Sequence, residues 1–141
     1  MFAPADETAI LATESRPLAI GLSALLLSIP PIHHVKLAHD ADALYEAIEE
    51  NRPLLIVVDS AITDQLSEMS WRVCGLSPDS LHILLSDDTA DIRDLACPSG
   101  LTVIMKGTAP RRLARVLETL LSEHVADHPP ASNSAAASIS S

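Results

Sequence analysis

The fold class predicted by this sequence is a three-layer α/β sandwich, with helices on both faces of a five-stranded parallel sheet. Three observations predict it. Apolar patterning alternates between strand-like and helix-like periods five times along the 141 residues. The run LLIVVD is apolar on both faces, which marks a central parallel strand rather than a half-solvated antiparallel one. Finally, three strand-like runs each lead into one polar residue: LLIVVD ends at Asp59, HILLS at Ser86, and TVIM runs into Lys106. In a parallel sheet such strand ends share one edge, where the ligand crevice of these folds lies.

Taken in order, Ala9 to Thr13 is a short apolar strand, and Leu18, Leu22, Leu25, Leu26 and Ile29 repeat as the inner face of a first helix over Leu18 to Ser28. Pro30 and Pro31 end it. Val35 and Leu37 mark a second strand, and Asp40 is placed to N-cap a helix from Ala41 to Glu50. Leu54 to Asp59 is the third strand. Leu66, Met69, Val73 and Trp71 suggest a third helix, and Leu81 to Ser86 a fourth strand. A polar fourth helix is expected over Asp88 to Ala96, ended by Pro98 and Gly100. Leu101 to Met105 is the fifth strand. The fifth helix opens at Pro110 and runs to Glu123, with Leu113, Val116, Leu117, Leu120 and Leu121 inward. Residues 1–125 read as one domain. From Ala126 to Ser141 no apolar period survives, so these residues read as a disordered tail or a truncated linker. The most economical arrangement is a flavodoxin-like sheet of order 2-1-3-4-5 with five helices.

Composition narrows the function classes. At 48% hydrophobic and a mean hydropathy of +0.25, the chain can bury one real core. Pro17 to Pro31, its longest apolar-rich stretch, is interrupted by Gly21, Ser23 and Ser28 and is too short to span a bilayer. The N-terminal MFAPADETA is acidic and lacks the basic and apolar regions of a signal peptide, so the reading is cytoplasmic, without membrane association. A net charge of −10 opposes nucleic-acid binding. Cys74 and Cys97 lack C-x-x-C spacing and are expected as buried or half-buried thiols.

The residues expected at the strand ends are a carboxylate, a hydroxyl and an ammonium, a set able to take up a phosphoryl group: the carboxylate accepts it and the other two bind its oxygens. The plainer alternatives are that Asp59 only caps the turn that follows it, that Lys106 is a solvated loop lysine or merely pairs with Asp59, and that Glu14 is a solvated charge. His33, His34 and His39 cluster around the second strand, but no ligand set at metal spacing completes them. Arg111, Arg112 and Arg115 form a small basic patch opening the last helix, solvated by default or docking an acidic partner.

Over residues 8 to 124, the runs ILATESRPLAIGLSALLLSIP, RPLLIVVDS, HILLSD and GLTVIMKGTAPRRLARVLETLL resemble the receiver domain of bacterial two-component response regulators, closest to the group that usually carries a helix-turn-helix domain. The resemblance implies that Asp59 is the phosphoacceptor position, Ser86 the position of the family's Thr or Ser, and Lys106 that of its lysine. It implies a Mg²⁺ site in which the acidic pair after the first strand appears as Glu14 and Ser15, joined by Asp59 and the backbone carbonyl of Ala61. With Ser15 in place of a carboxylate, that site is expected to be weak or absent. Asp87 stands where the family has Ala or Gly, Val103 where it has an inward-swinging aromatic, and Ile62, Thr63 and Asp64 where it has Met-Pro-Gly. Two functions follow from the resemblance. In one, a sensor histidine kinase phosphorylates Asp59 in a phosphorelay. In the other, the chain is a pseudo-receiver, a non-enzymatic module that binds signalling proteins through the face of the fourth helix, fifth strand and fifth helix. A homodimer fits either, and so does a stand-alone chain or part of a longer regulator.

Overall fold

The computed structural model describes residues 8–30, 32–87 and 101–127. Strands β1 (Thr8–Ala12), β2 (His34–Ala38), β3 (Leu55–Asp59), β4 (Leu81–Ser86) and β5 (Thr102–Met105) form one sheet in the order β2-β1-β3-β4-β5, every neighbouring pair parallel. The topology is the one expected from the sequence. β1 and β3 are buried along their whole length, as strands covered on both faces must be. The four α-helices among the described residues are α1 (Arg16–Leu27), α2 (Ala41–Asn51), α3 (Leu66–Leu76) and α4 (Pro110–Asp127), and a 3-10 turn covers Ser60–Ile62. The helix expected over residues 88–96 lies outside the described residues, as does most of the expected tail.

Side chains alternate between two cores, one on each face of the sheet. Ala9, Leu11, Leu55, Val57, Ile83, Leu85 and Ile104 pack with Leu22 and Leu26 of α1 and Leu113, Leu117 and Leu121 of α4. Ile10, Ala12, Ile56, Val58 and Leu84 pack on the other face with Leu44, Ala47 and Ile48 of α2 and Met69 and Val73 of α3. Successive strand residues point to opposite faces, so strands this apolar need both layers of helix.

Local signals fix most boundaries. Ser15 caps α1, its Oγ accepting from the Leu18 N–H at 3.3 Å. Asp40 caps α2 as expected, Oδ1 accepting from the Ala43 N–H at 2.7 Å. Arg52 ends α2 in the left-handed region at φ 39°. α4 continues to Asp127, past the expected end at Glu123. Trp71 is 60% exposed and does not join the inner stripe of α3. Met69 and Val73 define that stripe, and two residues beyond Met69 is a rotation of about 200°, onto the opposite side of the helix. Cys74 is buried and disulfide-bonded rather than a thiol, while Cys97 lies outside the described residues. At the edge of the sheet where β4 begins, the turn from Ser77 to Ser80 is held from both layers: His82 Nε2 bonds the Ser77 carbonyl at 2.8 Å, and His124 Nε2 of α4 bonds the Asp79 carbonyl at 2.6 Å.

Candidate functional site

The C-terminal ends of β3, β4 and β5 bring Asp59, Ser86 and Lys106 to one edge of the sheet. Asp59 pairs in register with Leu85 of β4 and Ser86 with Met105 of β5, so Lys106 emerges directly after the neighbouring strand. The Lys106 N–H donates to the Ser86 carbonyl at 3.0 Å, fastening the start of the β5–α4 loop to β4. From there its ammonium forms a salt bridge with Asp59 Oδ1 and a longer one, 3.3 Å, with Asp87 Oδ2. Among the described residues Lys106 is thus the cation of the pocket, shared between a buried carboxylate and an exposed one. Ser86 is fully buried beside them.

Asp59 is 3% exposed, a degree of burial that a carboxylate tolerates only with full compensation. Oδ1 also accepts from the Ala61 N–H at 3.0 Å, which makes Asp59 the cap of the 3-10 turn as well as the partner of Lys106. Oδ2 accepts from the Thr13 hydroxyl at 2.7 Å. Burial pushes the Asp59 carboxyl up, but the Lys106 ammonium, the Ala61 N–H and the Thr13 hydroxyl together outweigh it and hold the group below the usual aspartate range. Burial likewise opposes the charged form of Lys106, and the two carboxylates outweigh it and raise its pKa.

Thr13 is the functional residue that sequence reasoning missed. It follows the last residue of β1, and since Ala12 pairs with Val58, Thr13 stands beside Asp59. The signal was present: AILA runs into Thr13 just as the other three apolar strands run into Asp59, Ser86 and Lys106. The structure sets Thr13, and not Ser15 of the expected acidic pair, against Asp59. Ser15 spends its hydroxyl on the α1 cap and is exposed, because by that point the chain has turned out of the strand. Thr13 Oγ1 itself accepts from the Ser15 N–H at 3.1 Å, which pins its rotamer toward Asp59. Glu14, between them, is exposed.

These residues do not fit a Mg²⁺ site. The ion requires near-octahedral oxygen ligands, with at least one or two carboxylates free to bind it. Here the buried carboxylate has both oxygens engaged by N–H, ammonium and hydroxyl donors, and the adjacent strand end supplies a neutral hydroxyl. Among the described residues no group of three His, Cys, Asp or Glu side chains is disposed to hold a metal ion, and this applies to His33, His34 and His39 too. Asp87, which stands where the family has Ala or Gly, is drawn onto Lys106. Val103 packs against the α2–α3 core.

No protein-family model matches the chain, and no curated protein matches it. Solved structures do. A response regulator receiver domain protein (CheY-like) from Methanospirillum hungatei superposes with a TM-score of 0.71 at 16% identity, covering 86% of this chain and 98% of that one. A two-component response regulator of the LuxR family from an Aurantimonas species gives a TM-score of 0.71 at 17% identity, covering 84% of this chain and 86% of that one. The isolated receiver domain of RcsB from Salmonella enterica serovar Typhimurium, solved with a phosphomimetic beryllofluoride, gives 0.68 at 17% identity over 83% of this chain and 89% of that one. The chain therefore has the receiver-domain fold, flavodoxin-like in topology, and no helix among its described residues is long and apolar enough to cross a membrane.

Proposed function

We propose that this chain is a receiver-type signalling module whose strand-end pocket is held in one arrangement by its own side chains, and that it binds signalling proteins without passing through a phosphorylated state. The observation that carries this reading is the Thr13 hydroxyl on Asp59 Oδ2. Phosphoryl transfer depends on cationic neutralisation of the charge that builds up on the transferred group. A hydroxyl donates one hydrogen bond and no charge. Lys106 remains, but its ammonium is divided between Asp59 and Asp87, and Glu14 adds a further carboxylate at the same edge. Among the described residues of this edge, an incoming phosphodonor thus meets more negative than positive charge. Val103, in place of the family's mobile aromatic, removes the part that would report phosphorylation to the surface.

A second reading, phosphoryl acceptance at Asp59 from a histidine kinase, is favoured by the meeting of Asp59, Ser86 and Lys106 at one edge. Intact mass spectrometry after incubation with acetyl phosphate and Mg²⁺ separates the two. The parent is expected to keep its mass, whereas Thr13→Asp, which restores a carboxylate at the strand end, is expected to gain a phosphoryl group that is absent from Thr13→Asp/Asp59→Asn. A phosphoryl adduct on the parent, lost in Asp59→Asn, overturns the phosphorylation-independent reading.

A further inference from the structure

We infer that the free edge of the sheet at β2 takes up an extended segment of a partner protein as a further strand, one whose alternate side chains are apolar and acidic. The inference gives the partner binding proposed above a surface, yet it stands on the sheet edge alone, and its failure leaves the reading of the Asp59 pocket untouched. β2 is the outermost strand, paired with β1 on one side and with no strand of the described residues on the other. Of its five residues only Ala38 is buried.

The backbone presents a strand-shaped set of donors and acceptors at this edge. The Thr13 N–H donates to the Ala38 carbonyl at 2.9 Å, so the backbone groups of Ala38, and with them those of Lys36 and His34, point to β1. Those of Val35 and Leu37 point the other way. An exposed row of this kind is a template for another chain. Bulges that would twist such an edge out of reach are absent from β2, which runs in register with β1 over its full length, from His34 opposite Thr8 to Ala38 opposite Ala12.

The side chains specify the occupant. Leu37 lies on the α1 side of the sheet, because its β1 partner Leu11 belongs to that core, yet it is 55% exposed. Lys36 and His34 lie on the opposite side, both exposed, with Lys36 in register with Ile10 of the α2–α3 core. Lys36 has no ion-pair partner among the described residues, although the chain has 19 Asp and Glu against 9 Lys and Arg. A strand added here meets an apolar neighbour on one face and a cation on the other, and an alternation of apolar and acidic residues matches both. A second copy of this chain does not match. Two β2 strands laid antiparallel and centred on each other set Lys36 against Lys36, and each copy carries a net charge of −10. Lysine guards an edge strand against such self-pairing, and the charge that turns away a copy attracts a carboxylate.

Amide hydrogen exchange of the full chain, read residue by residue by NMR, tests the site with a capped peptide of alternating Val and Glu as the probe. At about ten times its dissociation constant the peptide occupies all but roughly a tenth of the chains, so exchange at the outward Val35 and Leu37 N–H groups should slow about tenfold. The Lys36 N–H, already turned to β1, should not change. The matching peptide of Val and Lys should bind at least about tenfold more weakly, and Lys36→Glu should reverse that preference. Leu37→Pro removes one outward N–H without touching the ladder to β1, and should abolish the slowing at Val35 with circular dichroism unchanged. Exchange at Val35 and Leu37 that no millimolar concentration of the peptide slows, or slowing by the two peptides alike, would overturn the inference. So would slowing that grows with the concentration of the chain alone, which would assign the edge to a second copy.

Discussion

The two halves of the strand-end pocket solve one problem by different means. Both must compensate the buried Asp59 carboxylate. On the β4–β5 side the compensation is ionic, through Lys106. On the β1 side it is a neutral hydrogen bond from Thr13, directly at the end of the strand. The comparison teaches that a buried carboxylate can be fully satisfied while only one side of it carries positive charge. The charged side brings Asp59, Ser86 and Lys106 together, and the β1 side contributes only the neutral hydroxyl of Thr13.

The ionic half should be the more costly to disturb. Lys106→Met leaves Asp59 buried without its cation, a class of change that costs about 3–5 kcal/mol, so the melting temperature should fall by roughly 10 °C or more. Lys106→Met/Asp59→Asn should recover part of that loss, since the stranded charge is then gone. Equal losses for the single and double variants would show that the pair contributes little beyond packing.

Thr13→Val keeps the shape and removes only the hydroxyl. It should cost about 1–2 kcal/mol, less than Lys106→Met because the lost partner is neutral. A loss as large as that of Lys106→Met would erase the distinction between the two halves.

The pH dependence of stability separates them further. Asp59 titrates lower in the fold than its ordinary 3.8, so its contribution is complete above that pH and is lost as pH falls through the folded value. Lys106 titrates higher than its ordinary 10.5, so its share is complete below that pH and is lost as pH rises through the folded value. Asp59→Asn should therefore flatten the acid limb of melting temperature against pH, relative to the parent. The difference curve cancels His82, whose burial lowers its pKa below 6.5 and whose share starts to be lost in both proteins as pH falls below that value. An acid limb unchanged by Asp59→Asn would assign acid sensitivity to other carboxylates.

The smallest effect is expected at Ser15. Because its hydroxyl caps α1, Ser15→Asp substitutes one good N-cap for another and should change stability by less than about 0.5 kcal/mol. It should bring no response to Mg²⁺ in melting temperature. A clear Mg²⁺ response in Ser15→Asp would return this residue to the pocket.

How much was legible in the sequence follows from the same division. The sheet order and the positions of Asp59, Ser86 and Lys106 were readable because long apolar runs fix the strands and a parallel sheet aligns their ends. The β1 side was less legible: Thr13, Glu14 and Ser15 are all polar, and only the pairing of Ala12 with Val58 tells which of them stands beside Asp59. The bond at Cys74 was not readable, since cysteines at no diagnostic spacing give no sign of it in the sequence.

The His124 bond to the turn before β4 gives α4 a second role. The helix starts a few residues after Lys106, at the edge of the sheet that carries the pocket, and is tied by its imidazole to a backbone carbonyl at the opposite edge. It is a strut fixed at both ends. Over about 27 Å it links the two rims of the sheet, with Leu113, Leu117 and Leu121 seating it in the core between them.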